Sequence, residues 1–286
     1  MNIIAVVVLY QCRPDQSPTI ATLVRSWAQS PAQAMELKLI VYDNSPESQP
    51  MSVPLPFDHQ YVHDAANGGL AAAYNYALGS DPGGRHQWLL LLDQDSSLPD
   101  DFVALTAGAL TAIDQDQGVA AVVPQVLHQD GRPVSPARLQ WGWNIWPMTI
   151  PAGSICRKPI TAINSGTLLR KSFMEEIGGF NPLFKLDYLD HWLFAEIYRR
   201  GKTACVSGAV VVHDLSIRQS FQTVSEERYQ SILDAETLFY RTCLKHSKLK
   251  YHLIALTYRA AKQGLSGKRQ LGRLTARHLC QIVTNR

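Results

Sequence analysis

Trp88-Leu89-Leu90-Leu91-Leu92-Asp93-Gln94-Asp95 is an apolar run that ends in two carboxylates two positions apart. A short continuous apolar run bounded by polar residues reads as a strand buried on both faces. Open α/β sheets place their ligands outside the carboxyl ends of such strands, and residues i and i+2 of an extended chain share one face. Asp93 and Asp95 therefore leave the strand together where a ligand is expected. Mg2+ or Mn2+ is commonly held by one or two carboxylates plus phosphate oxygens, so the pair points toward a phosphate-bearing substrate. An Asx-rich turn leading into a helix near Pro99-Asp100 accounts for the same residues without a ligand.

Outward from this run, apolar segments alternate with helical patterns, the signature of βαβ units. Strands are expected near Ile3–Tyr10, Leu37–Asp43, Gln60–His63, Trp88–Asp93 and Val119–Pro124, and helices near Ser17–Ser30, Gly69–Leu78 and Asp100–Ile113. Between Val126 and Ala162 the pattern breaks into a Pro- and Gly-containing loop segment. A strand is then expected over Ile163–Arg170, a helix over Ser172–Ile177, a helix from the Asp187–Asp190 region to Arg200, and a strand over Ala209–His213. From about Ser225 onward the chain reads as helical. The expected fold class is α/β, a Rossmann-like, mostly parallel central sheet with flanking helices, spanning residues 1–224, followed by a basic C-terminal helical extension over 225–286.

With 46% hydrophobic and 18% charged residues the 286-residue chain has the composition of a folded globular protein. The longest apolar stretch, Ile3–Leu9, is too short to cross a bilayer and lacks a basic leader. Together these features suggest a cytoplasmic protein. Five cysteines without a CxxC pair suggest neither a disulfide framework nor a zinc site. The net charge of +3 conceals an asymmetry: Arg241–Arg286 holds eleven Lys/Arg and no Asp/Glu. Such a tail suits an anionic partner, lipid headgroups or nucleic acid. Within Lys268–Arg286, Leu271, Leu274, Leu279, Ile282 and Val283 share roughly one helical face and Lys268, Arg269, Arg273 and Arg277 line the rest. That pattern describes a helix lying on a membrane surface, or equally one packed on the body with a solvated basic face.

Further candidates stand at expected strand ends and helix starts. Asp43 closes the second strand in VYDNS, placed to bond a base or ribose or to initiate a turn. Asn67-Gly68-Gly69 opens a helix, where free N–H groups can approach a phosphate. Trp141, Trp143 and Trp146 crowd WGWNIWP, able to stack on a sugar or to pack the loop. Asp190, three residues after Asp187 and beside His191, begins a helix and is either a cap or a general base. His213 ends the last expected strand.

The ordered series VVVLY, VYDNS, NGGLAAAYNYAL, LLLLDQDS, SGTLLR, IGGFNPLFKLDYLDHW and RRGK, over roughly residues 3–215, resembles the family 2 glycosyltransferases of GT-A fold. DQDS and DYLDHW resemble the rhamnosyltransferase-like branch, whose donor is dTDP-L-rhamnose. The resemblance implies that Tyr10, Asp43, Asn67 and Gly69 line the nucleotide, that Asp93 faces the ribose, and that Asp95 holds Mg2+ or Mn2+, with His213 reaching the metal or diphosphate. It implies Asp190, eleven residues before Gly201, as catalytic base, with Trp141, Trp143, Asp187, His191 and Trp192 on the acceptor side. The partners so implied are a nucleotide-sugar donor and a saccharide acceptor, lipid-linked if the basic tail lies on an anionic membrane surface, as in surface polysaccharide assembly; no nucleic acid is expected. Trp192 departs from the acidic residue usual before the tryptophan, and no QxxRW follows, which argues against a processive synthase. A UDP-sugar donor is the nearest alternative, with a sugar nucleotidyltransferase or a carbohydrate-binding protein more distant. The nucleotidyltransferase is disfavoured because YQCRPDQSP offers only Arg13 to grip a triphosphate.

Overall fold

The computed structural model describes residues 1–30, 36–52, 54–140, 144–213, 225–244 and 246–284. The chain divides into two compact units, Met1–Arg138 with Pro147–Asp214, and Leu139–Trp146 with Leu215–Arg286.

The first unit is built on a mixed sheet. Its strands are β1 (Asn2–Leu9), β2 (Glu36–Asp43), β3 (Asp58–His63), β4 (Trp88–Asp93), β5 (Ser96–Ser97), β6 (Val119–Leu127), β7 (Pro133–Ser135), β10 (Ile155–Cys156), β11 (Thr167–Arg170) and β12 (Thr203–His213), while β8 (Ala137–Gln140) and β9 (Asn144–Pro147) pair with each other. Neighbouring strands run in the order β10-β12-β6-β11-β4-β1-β2-β3. Strands β3, β2, β1 and β4 are parallel, β11 lies antiparallel between β4 and β6, and β12 runs parallel to β6. Strand order therefore reverses direction across β1 and β4, which opens a crevice at their carboxyl ends. Register aligns those ends: Leu9 lies opposite Asp43, Val8 opposite Asp93, and Asp43 opposite His63.

The leucines of β4 and residues Ile3–Leu9 of β1 are buried on both faces, as the unbroken apolar runs require. Ile3, Ala5, Val7 and Leu9 share a core with Ile20 and Leu23 of α1 (Pro18–Gln29) and Phe102, Val103 and Leu110 of α3 (Phe102–Ala112). On β1 the intervening Ile4, Val6 and Val8 point to the opposite face, and α2 (Gly69–Gly79) packs against β1 and β4. Two further helices complete this unit, α4 (Lys171–Glu176) and α5 (Leu189–Arg199).

Three sequence readings change. The strand expected from Ile163 starts only at Thr167, because Asn164-Ser165-Gly166 makes a turn with Gly166 at φ +80°. A Cβ there would come within 3.1 Å of Pro124. The last strand is longer than its apolar core and begins at Thr203, directly after the glycine that stops α5. The segment after Val126, read as loop, contributes the short strands β7 to β10.

Among its described residues the second unit holds three helices, α6 (Glu226–Thr242), α7 (His246–Leu265) and α8 (Arg269–Thr284). Ser225 caps α6 by accepting from the Arg228 N–H at 3.2 Å. Tyr229, Leu233, Leu256, Leu274 and Ile282 form the core, with Leu253, Leu271 and Leu279 packed against it. The apolar face of α8, which the sequence allowed either to lie on a membrane or to pack, is thus occupied inside this unit. Only Val283 of that set stands exposed. Beside the apolar core lies a polar interior: Arg259 pairs in bidentate fashion with buried Glu236 at 2.7 and 2.9 Å, and Thr237 Oγ1 bonds His252 Nε2 at 2.9 Å and His278 Nε2 at 2.7 Å. Among the described residues no helix is long and apolar enough to cross a membrane.

Candidate active site

The turn Asp93-Gln94-Asp95 joins β4 to β5 and is clamped from α1. Thr19 Oγ1 lies 2.5 Å from the Asp93 carbonyl oxygen and accepts from the Ser96 N–H at 2.8 Å, while Ser17 Oγ donates to the Gln94 carbonyl at 2.7 Å. From the other side the Gln94 side chain accepts the Tyr10 N–H at 2.8 Å. Polar side chains at the start of α1 thus hold the turn, and they leave its carboxylates to face elsewhere.

Strand β12 returns to this turn, with His213 paired opposite Ser96. His213 is buried; its Nδ1 lies 2.9 Å from Ser96 Oγ, 3.5 Å from Ser165 Oγ and 3.6 Å from Asp95 Oδ1. The Asp95 carboxylate is 42% exposed and Ser165 donates to Asp93 Oδ2. Burial pushes the Asp93 carboxyl above the ordinary range; His213 and the Ser165 hydrogen bond oppose the rise, and Asp95 and Asp190 add to it. Asp95, Asp190 and His213 therefore lie near enough to Asp93 for its carboxyl to feel their charge. No group of three or more His, Cys, Asp or Glu is arranged to hold an ion alone among the described residues. One open carboxylate beside an imidazole does suit a cation that takes its other ligands from phosphate. If Nδ1–H donates to Ser96, Nε2 becomes the ring nitrogen with a lone pair for such an ion.

On the nucleotide side, Tyr10 is 46% exposed at the end of β1 and the next residue, Gln11, takes φ 51° with its N–H on Ser45 Oγ at 2.7 Å. Asp43 is fully buried. Its carboxylate accepts from the Ser45 N–H at 2.8 Å, the Gln49 N–H at 2.8 Å and the Tyr61 hydroxyl at 2.6 Å. Burial alone would raise the Asp43 carboxyl, but the bonds from Ser45, Tyr61 and Gln49 hold it below the ordinary range. In this structure Asp43 thus orders the loop at 44–49, the turn-forming role that the sequence also allowed. Asn67 is exposed at φ 50° and Gly69 takes φ +81° at the start of α2. The Lys185 carbonyl fills the space where a Cβ of Gly69 would stand, and it accepts the Leu70 N–H at 2.7 Å. Asp64, unremarked in the sequence, gathers this turn by accepting from the Gly68 and Ala66 N–H groups and the Tyr42 hydroxyl.

On the acceptor side, Tyr188 at φ 63° turns the chain into α5, which places Asp190 in the first helical turn. Asp190 Oδ1 accepts the His191 N–H at 2.7 Å, taking up one of the donors that a first turn leaves without a carbonyl. His191 Nδ1 meets Thr161 Oγ1 at 2.8 Å, and its ring lies 5.0 Å from that of Tyr188. Asp187 lies half-buried before the helix. Trp192 is buried, so its indole serves packing and offers an acceptor little surface, contrary to the sequence expectation. Trp141 and Trp143 lie outside the described residues. Tyr74 of α2 is fully buried, and burial together with Asp93 and Asp190 raises its hydroxyl well above the ordinary value. That hydroxyl has no hydrogen-bond partner among the described residues. Ser165, Ser96, Thr19 and Tyr74 were not singled out in the sequence; only SGTLLR and DQDS carried any signal for the first two.

No protein-family model matches the chain, and neither does any curated protein sequence. Solved structures do match it. The mannosyltransferase PcManGT from Pyrobaculum calidifontis, in complex with GDP-Man and Mn2+, is similar at TM-score 0.55 and 16% identity over 99% of this chain and 75% of that one. TarS 1-349 from S. aureus, in complex with UDP-GlcNAc, is similar at TM-score 0.54 and 14% identity over 94% of this chain and 76% of that one. The fold is a GT-A-like glycosyltransferase fold. In that fold the crevice at the ends of β1, β2 and β4 holds Tyr10, the Asp43 loop and Asp93-Gln94-Asp95 on one sheet edge.

Proposed function

We propose that the protein is an inverting, metal-dependent glycosyltransferase that moves a hexose from a nucleoside diphosphate to a saccharide acceptor. The observation that carries this reading is the convergence of Asp93, Asp95 and His213 at the ends of β4 and β12, with Asp190 close enough to raise the Asp93 carboxyl. Tyr10, Asn67, Gly69 and the loop ordered by Asp43 flank the nucleotide; Asp93 meets the ribose; Asp95 and His213 hold Mg2+ or Mn2+. The metal, when bound, neutralises charge on the diphosphate leaving group. Asp190 takes the proton of the acceptor hydroxyl as that oxygen forms its bond to the anomeric carbon and the anomeric C–O bond to the diphosphate breaks on the opposite face. Asp187 and His191 border the acceptor.

The motif resemblance favours dTDP-L-rhamnose as donor, and the basic C-terminal unit favours a lipid-linked acceptor at an anionic membrane surface. Thermal shift against dTDP-, UDP-, GDP- and CMP-sugars, with and without Mn2+, tests the reading. A ligand at about 100 times its dissociation constant adds roughly 2.7 kcal/mol, so the preferred donor should raise the melting temperature clearly and more so with Mn2+. A protein indifferent to every nucleotide would overturn the assignment.

A further inference from the structure

Helix α7 is apolar on two opposite faces. His252, Leu253 and Leu256 turn into the core of the helical unit. Around the other side, Tyr251, Ile254, Tyr258 and Leu265 follow one another at helical spacing and are 37, 64, 63 and 91% exposed. From Tyr251 to Leu265 this stripe runs roughly 21 Å at 1.5 Å per residue. Scattered exposed apolar residues are ordinary on a soluble surface, whereas a contiguous row marks a contact. Lysines border the row on both sides. By helical position Lys250 flanks one edge and Lys248 and Lys262 the other, and the ammonium groups of Lys248 and Lys250 stand 5.4 and 5.3 Å from the Tyr251 ring centroid.

We propose that this face of α7 is a docking surface for an anionic lipid bilayer. The chemistry matches on each count. Tyrosine rings suit the headgroup level, Ile254 and Leu265 supply apolar area for the acyl boundary, and lysine stems can bury while their ammonium groups reach lipid phosphates. Charge selects the partner: the segment Arg241–Arg286 carries eleven Lys/Arg and no acidic residue, so an anionic surface meets no repulsion there. A second helical unit of the same kind would bring basic face to basic face. Because the apolar face of α8 is already inside the unit, docking through α7 leaves the bundle intact.

Flotation of the full chain with phosphatidylglycerol-containing vesicles and with pure phosphatidylcholine vesicles tests the surface without requiring sugar transfer, so its failure and a failure of the transfer reading are seen in different assays. Binding is expected to the anionic vesicles only, and to weaken with salt. Ile254→Ser combined with Tyr258→Ser should lower it roughly tenfold or more through lost apolar burial. Lys248→Gln, Lys250→Gln and Lys262→Gln together should cost about fivefold per lysine. All five positions are accessible on the helix, and an unchanged circular dichroism spectrum verifies folding. Equal binding by the serine variant overturns the proposal, as does equal binding to neutral vesicles. Retention on RNA without vesicle binding, or self-association that the serine variant abolishes, overturns it in favour of those partners.

Discussion

Four acidic residues of the first unit have different surroundings and so different uses. Asp43 is buried and surrounded by donors, which makes it the frame of a loop. Asp93 is buried beside Ser165 and His213, and its carboxyl is raised. Asp95, a neighbour in the same turn, keeps an open carboxylate. Asp190 stands at a helix start with a single bond to the His191 N–H. Asp190 combines a light engagement with a place near Asp93. Asp190→Asn should therefore lower turnover by ~10²–10⁴-fold, the span of general-base catalysis, while donor-induced thermal stabilisation persists. Transfer at the normal rate by this variant would place the base elsewhere. The sequence told these residues apart only by position. In the sequence Asp190 stands out because it begins a helix that Gly201 stops, and Asp95 because it closely follows four leucines. For Asp43 the sequence leaves a ligand contact and a turn role open, because its partners Ser45, Gln49 and Tyr61 come from a loop and a strand whose approach no local pattern encodes.

Elements meet at the site through unusual backbone conformations. Gly69 opens α2 at φ +81° because the Lys185 carbonyl, from the loop that leads to α5, occupies the volume of a side chain. The start of α2 and the loop before α5 are thereby joined through one main-chain oxygen. Gly69→Ala would combine a left-handed conformation with that collision, a destabilisation of about 2 kcal/mol or more. Loss of several degrees in melting temperature and a weakened donor response are expected; an unchanged melting curve would refute the coupling. The long central strands were readable because each is a run of buried apolar residues. The start of β12 was not, since Thr203–Val206 pairs with β6 and in part with β10 but is too short an apolar stretch to announce it. Strand β11 was overextended because INSGTLLR looks continuous until Gly166 turns left-handed.

For the whole molecule, the sequence correctly signalled a sheet followed by helices, and the charge asymmetry marked the second part. What it left open was the destination of the apolar residues: of the two places allowed to the row on α8, it takes the bundle interior, and the exposed row belongs to α7. The bundle also carries a titrating interior. Burial depresses His252 to about 4, against an ordinary value of 6.5, and His278 is lowered as well. Between those values the unfolded chain binds a proton that the folded chain does not, so stability rises with pH across this window and falls as pH drops from about 6.5 toward 4. Melting followed at pH 7 and pH 5 should show the lower midpoint at pH 5, and His252→Gln should flatten the difference; a midpoint independent of pH would contradict it. Around its candidate site the first unit, by contrast, uses main-chain atoms as anchors: the carbonyls of Lys185, Gln94 and Asp93 and the N–H groups of Tyr10 and Gln11. A main-chain atom is present whatever residue bears it. Position 185 is therefore open to variation while position 69 is not, and a directed-evolution library aimed at new acceptors can randomise the exposed positions 185 and 186 at little risk to the scaffold, provided 67 to 69 are left alone.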